Sequence, residues 1–169
     1  ALYLKENGIM FPGVVGPANE SEAFAKIWAS LTSQTFQLGM GQKIYKIEKV
    51  DQPNAEGSLR LAEKNETDLI AEWLVEFGNE SLPPPERKSF AERRPHAERA
   101  IENKLAYVWV SGNKPVSMAH VGRPTLNGIS VSAVYTPPHL RKNGHASALV
   151  ASLSQKMLDS RKKFCVLYT

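Results

Sequence analysis

The run from Arg141 to Ser147 (Arg-Lys-Asn-Gly-His-Ala-Ser) carries the clearest chemistry in this chain of 169 residues. It follows a β-rich segment, Ser130 to Thr136, that Pro137 and Pro138 stop, and it opens an amphipathic segment from Ala146 to Leu158. A strand, a loop and a helix N-terminus in that order leave unpaired backbone N–H groups and about half a positive charge at one point, which suits a phosphate or pyrophosphate. Gly144 allows close backbone approach, Ala146 leaves room beside the first helical turn, and Arg141 and Lys142 add charge. Two other phosphate loops are excluded. The chain has no Gly-x-x-x-x-Gly-Lys-Ser/Thr run, and no Gly-x-Gly-x-x-Gly follows a first strand. The plain alternative is a strand-to-helix connection with a glycine in its turn.

Positioning such a loop takes a sheet with helices packed on it. From Ser58 the order reads strand, helix, helix, strand, strand, strand, helix, strand. Ser58 to Glu63 is a short strand. Leu69, Ile70, Trp73, Leu74 and Phe77 form the apolar stripe of the next helix, with Glu66, Glu72 and Glu76 opposite. Prolines 83 to 85 break the chain. The charged segment Glu86 to Asn103 reads as helical, with Pro95 predicting two pieces or a kink. Leu105 to Val110 and Pro115 to Val121 make a hairpin, and Asn127 with Gly128 turns the chain into Ile129 to Thr136. Ala146, Leu149, Val150, Leu153 and Met157 recur at helical intervals. Phe164 to Tyr168 is a continuous apolar run that suits a central, fully buried strand. The sum is an α/β fold with a mixed, mainly antiparallel sheet flanked by helices.

Ahead of it, residues 1–56 read as a smaller α/β unit. Ala1 to Lys5 and Ile9 to Phe11 are expected as strands around an Asn7-Gly8 turn, and Asn19 with Glu22 reads as a capping box. The helix it opens carries Phe24, Ile27, Trp28 and Leu31, and Gln42 to Val50 is a further strand. The polar linker Asp51 to Gly57 sets the expected boundary before residues 57–169.

Hydrophobic residues make up 42% of the chain, enough for a core without staples. A lone cysteine, Cys165, rules out an internal disulfide and makes cytoplasmic residence the expectation. No apolar run approaches the ~20 residues of a membrane span, and no signal-peptide pattern heads the chain, so no membrane partner is expected. The start at Ala1, inside an apparent strand, suggests that the natural front is missing. Net charge is +4, and between Pro137 and Thr169 only Asp159 offsets Arg141, Lys142, Lys156, Arg161, Lys162 and Lys163. Without interleaved aromatics or a nucleic-acid motif, that bias fits a multiply phosphorylated ligand better than nucleic acid. The four histidines are scattered, so no metal site is expected.

The pattern Arg141-x-x-Gly144-x-Ala146, with Val134 to Pro138 before it and Ala146 to Leu158 after it, resembles the acetyl-CoA loop of the GCN5-related N-acetyltransferase superfamily. That family's pattern is Gln/Arg-x-x-Gly-x-Gly/Ala. A weaker likeness runs from Gly57 to Thr169, and residues 1–56 resemble a region that precedes the domain in some bacterial members. The resemblance implies the family's fold and acetyl transfer from acetyl-CoA to a primary amine, on a small molecule or a protein, by direct attack. It implies that the pantetheine arm pairs with Val134, Tyr135 and Thr136, as an added strand would. It places the pyrophosphate on the amides of Lys142, Asn143, Gly144, His145, Ala146 and Ser147, beside Arg141. The Val134 amide becomes a donor to the oxygen that turns negative.

An alkylammonium, with a pKa near ~10.4, must lose a proton before it attacks. Glu72, Glu76 and Glu80, on or just after the first helix, and His120, on the strand beside the cofactor strand, are the candidates for that step. His145 is expected to be exposed, and Cys165 to be a small buried hydrophobe. Family members continue past the strand that ends here, so the domain reads as truncated after its fifth strand, with incomplete activity alone. The uncovered edge of that strand invites association, a homodimer. A non-catalytic CoA-binding or sensing module of the same fold is the alternative.

Overall fold

A computed structural model describes all residues, Ala1–Thr169, and the chain divides into Ala1–Gln42 and Lys43–Thr169. The first part holds two helices and no strand. Leu2–Glu6 is helix α1 where a strand was expected. Gly8, at φ 63°, does not turn a hairpin. It ends the helix: its N–H reaches the Lys5 carbonyl at 3.1 Å, and the Ile9 N–H reaches the Leu4 carbonyl at 2.9 Å. This paired bond is the Schellman ending that a left-handed glycine permits. Helix α2 (Ala18–Thr32) starts directly after Pro17, which places Asn19 inside the helix and leaves the expected capping box unformed. Phe11 packs against it, 4.6 Å from Trp28 and 5.8 Å from Phe24 between ring centroids. No residue of α1 or α2 is buried.

The second part is a six-stranded sheet with helices on both faces. Its strands are β1 (Ile44–Ile47), β2 (Ser58–Leu61), β3 (Ala106–Ser111), β4 (Lys114–Gly122), β5 (Gly128–Tyr135) and β6 (Phe164–Tyr168), in the spatial order β1-β6-β5-β4-β3-β2. All neighbours are antiparallel except β5 and β6, which run parallel. The mixed, mainly antiparallel α/β sheet expected from the sequence is the observed one. Two particulars differ. Of the three strands expected among residues 1–56 only that within Gln42 to Val50 forms, as β1, which pairs with β6 from Ile44 opposite Tyr168 to Ile47 opposite Cys165. Strand β6 is therefore second from the edge, and its outer side is covered by β1. It is only half-buried along most of its length, with Cys165 alone sealed.

Side-chain alternation explains why both faces need cover. In β3, Tyr107 and Trp109 point to one side, Ala106 and Val108 to the other, and all four are buried. Helix α3 (Thr67–Ser81) and helix α4 (Phe90–Glu102) lay Ile70, Ala71, Trp73, Leu74 and Ala97 over Val108, Met118 and Tyr135. Helix α5 (His145–Asp159) covers the opposite face with Ala148, Leu149, Leu153 and Met157. A fully buried side chain of the size of Ile70 or Leu149 stabilises such a layer by roughly 1.5–3 kcal/mol.

Helix α4 is one continuous helix despite Pro95, capped by the reciprocal Ser89–Glu92 pair. Pro95 is exposed, so the Ala91 carbonyl that loses its partner can turn to water. The start of α3 is held by a two-pronged ion pair, with Arg60 donating to both Glu66 oxygens at 2.8 and 2.6 Å. Burial pushes the Glu66 carboxyl up, but the bonds from Arg60 and from the Glu63 amide outweigh it and hold it below the usual range.

Candidate functional site

Strand β5 has two unlike halves. Gly128, Ile129 and Ser130 pair with Phe164, Cys165 and Val166 of β6 on one side, while on the other Ser130 pairs with Gly122 of β4 and Gly128 bonds to Thr125 in the turn. From Val131 onward the parallel pairing stops, and only β4 remains as a partner. The two parallel strands therefore part where the sequence reading placed Val134, Tyr135 and Thr136. Within this open half the register slips: His120 faces Ser132 and Met118 faces Tyr135, so β5 spends one residue more than β4 between those pairs. Ala133 takes up the difference at φ 50°, a left-handed conformation uncommon for alanine. This is a β-bulge, which re-aims the residues that follow it.

The strand's end is fixed by side chains. The Ser117 hydroxyl donates to the Tyr135 carbonyl at 2.9 Å, and Thr136 Oγ1 donates to Ser117 Oγ at 2.8 Å, all within the buried interior. Pro137 and Pro138 then leave the sheet through a single 3-10 turn, Pro138–Leu140. The loop beyond is built on two left-handed residues, Lys142 at φ 65° and Gly144 at φ 77°. Gly144 is the N-cap of α5, and no side chain caps the helix. The amides of His145, Ala146 and Ser147 consequently have no intrahelical acceptor and open the helix with its positive end. The first turn contains no acidic residue.

A groove of about 340 Å³ lies against these parts. Val134, Tyr135 and Thr136 form one side, Arg141, Lys142, Gly144, His145, Ala146 and Ser147 the next, and Phe77, Glu80 and Ser81 of α3 the third. The structure thus gathers every residue named for the cofactor except Asn143, whose side-chain amide bonds back to the carbonyls of Leu140 and Arg141. His145 is half-buried rather than exposed, and its Nδ1 is sealed from solvent without a partner.

Arg141 does not extend freely into the groove. Its Nε donates to the Thr136 carbonyl at 2.8 Å, and one terminal nitrogen donates to both Glu80 oxygens at 2.7 and 2.9 Å. Its guanidinium also stacks 5.7 Å from the centre of the Tyr135 ring. One helical turn earlier on α3, Glu76 accepts a hydrogen bond from the Tyr135 hydroxyl. Burial, and then the Glu76 carboxylate, push that hydroxyl up to about 12, so Tyr135 stays a neutral donor. These two links across α3 and β5 were invisible from the sequence, because their partners stand 59 and 61 residues apart. Phe77, Ser81 and Leu140 also line the groove and had no expected role in the site, each being an ordinary apolar or small residue.

Glu72 is exposed on α3 and does not line the groove. Nor does His120, which sits on β4 opposite Ala106 and Ser132. Its Nε2 is buried without a partner, and burial lowers its pKa to about 4, which leaves it neutral and weakly basic. Cys165 is buried, and burial pushes its thiol up, as a small core residue requires. No helix is long and apolar enough to cross a membrane.

The chain has the fold of the GCN5-related N-acetyltransferases. The GCN5-related N-acetyltransferase from Sphaerobacter thermophilus is 14% identical with a TM-score of 0.59, over 76% of this chain and 42% of that one. A Mycobacterium tuberculosis protein solved in complex with CoA is 16% identical with a TM-score of 0.51, over 62% and 60%. N-acetylglutamate synthase from Neisseria gonorrhoeae, complexed with coenzyme A and N-acetyl-glutamate, is 15% identical with a TM-score of 0.51, over 63% and 24%. This chain thus matches less than two thirds of the length of each. No protein-family profile and no curated protein sequence matches it.

Proposed function

We propose that the groove binds acetyl-CoA and that the protein transfers the acetyl group to a primary amine by direct attack. The observation that carries the reading is the junction of an open, bulged β5 with an uncapped helix N-terminus behind two left-handed residues. The residues fit the cofactor. The amides of His145, Ala146 and Ser147 and the Lys142 charge suit its pyrophosphate. The single-sided stretch of β5 suits a pantetheine arm with amide groups of its own. His145 lines the same groove at the first position of the helix.

Bound there, acetyl-CoA supplies the activated thioester and a thiol leaving group. The Val134 amide follows directly on the bulge and is the assigned donor to the thioester oxygen as it becomes negative. A backbone donor fixed in a bulge needs no reorientation, and that is the source of its effect. Glu72 and His120 have no groove contact, so a proton from the amine would reach either only through water. With a pKa about 4, His120 is also far from the basicity that proton removal near neutral pH requires.

Calorimetric titration of acetyl-CoA and CoA into the protein tests the reading, followed by thiol release across simple amines. Binding with amine-dependent thiol release is the expected result, and absence of binding would overturn it. A second reading, a CoA-binding module without catalysis, is favoured by one observation: Glu80, which lines the groove, and Glu76, one turn before it, are both engaged by protein partners. Tight CoA binding with no thiol release for any amine would select it.

A further inference from the structure

The sequence pattern casts Arg141 as a cation for the phosphates. Its surroundings give it different work. Three of its features are fixed at once: Nε on the Thr136 carbonyl, a terminal nitrogen on both Glu80 oxygens, and the planar group over the Tyr135 ring. An exposed ion pair by itself contributes little, because water screens it and the long side chains lose freedom. Here the planar group is held at three points on two elements, with Nε on a backbone carbonyl and one terminal nitrogen shared by both Glu80 oxygens, and a rigid guanidinium spanning two acceptors fixes geometry as well as charge. With both Glu80 oxygens on it, Arg141 also offers little net charge to an anion.

We infer that Arg141 and Glu80 together are a strap that positions the wall of the pantetheine channel, and that Arg141 is not a phosphate ligand. The strap joins the last turn of α3, which supplies Phe77, Glu80 and Ser81 to the groove, to the exit of β5, which supplies Val134 to Thr136. Its Nε bond holds the Thr136 carbonyl, one residue from the carbonyl that Ser117 holds. The carbonyls of Tyr135 and Thr136 are thereby each held by a side chain, which fixes the end of β5 after its bulge. Phosphate binding is left to Lys142 and to the free amides of α5. The inference rests on the cofactor reading above and assigns a positioning role within that site.

The test separates the arm from the phosphates. Two ligands are titrated: CoA, and 3′-phospho-ADP, which is the nucleotide end of CoA without its pantetheine arm. Arg141→Gln and Glu80→Gln are each expected to weaken CoA about tenfold, a change of about 1.4 kcal/mol in binding, while 3′-phospho-ADP changes less than about twofold. The double variant is expected to be no worse than either single variant, as for two ends of one link. Arg141→Lys keeps the charge but cannot make the fork and the stack together, so it should resemble Arg141→Gln. Four results would overturn the strap: equal loss for both ligands, rescue by Arg141→Lys, a neutral Glu80→Gln, or unchanged CoA binding in Arg141→Gln. Failure of the wild-type protein to bind either ligand would instead remove the cofactor reading itself, and the strap with it.

Discussion

The two halves of β5 are one strand under two regimes. Gly128 to Ser130 is paired with β6 and tied on its other side at Gly128 and Ser130, and the Phe164 ring lies so close over Gly128 that a Cβ there would run into it. Val131 to Tyr135 is held on one side only, contains a left-handed alanine, and ends in a network of Ser117, Thr136, Arg141 and Glu76. The first half obeys the rules of stability, with a partner strand along its length and the space over its glycine filled. The second breaks them locally, with an unpaired edge and a strained φ, and it adjoins the groove. Strain and open pairing are costs that a fold keeps only where the surroundings hold them in place.

The largest expected effect comes from the residue that faces the open half. His120, opposite Ser132, has a folded pKa of about 4 against 6.5 for the free side chain. Between those values the unfolded chain binds more protons than the folded one. Stability is therefore full above pH 6.5 and falls as the pH drops towards 4, by about 3 kcal/mol for this group. Urea unfolding at stepped pH should show that slope in the wild type and a flatter one in His120→Phe. Equal slopes would mean that His120 is hydrated.

Damage to the closed half comes next. Gly128→Val must displace the Phe164 ring and is expected to cost roughly 1–3 kcal/mol, read as a lower thermal midpoint. CoA affinity in the fraction that remains folded should be nearly unchanged. Gly144→Val reverses that profile. The new Cβ would stand 3.6 Å from the Ala55 Cβ, an ordinary contact, but the φ of 77° suits no β-branched residue. The backbone would relax and misalign the amides of His145 to Ser147, so CoA should bind at least about tenfold more weakly. The smallest effect is a gain: Ala133→Gly relieves the left-handed alanine and should stabilise the fold by about 1 kcal/mol or less. If Gly128→Val and Gly144→Val changed stability and binding in the same proportions, the separation of the closed half of β5 from the groove at the start of α5 would be wrong.

What the sequence revealed was local. The segment from Ser130 to Ser147 is contiguous, so a strand, a proline stop and a glycine before a helix could be read in order, and the cofactor loop followed. The bulge could not be read, since alanine gives no sign of a left-handed position and only the register against Met118 and His120 exposes it. The place of β1 was hidden because its partner, β6, lies more than a hundred residues away. Asn7-Gly8 misled for a physical reason: a left-handed glycine serves a helix end as well as a hairpin, and the flanking apolar residues did not decide between them. Glu76 and Glu80 appeared as two acids on a solvated helix face. Only the fold brings Tyr135 and Arg141 to them.

The central claim is that the open half of β5 and the start of α5 form one cofactor site. The most direct test is backbone amide NMR of the folded protein titrated with CoA. The account predicts that Val134, Tyr135, Gly144, His145, Ala146 and Ser147 shift together and most strongly, with Gly128 to Ser130 nearly still. No shifts at saturating CoA, or shifts centred away from those residues, would contradict it.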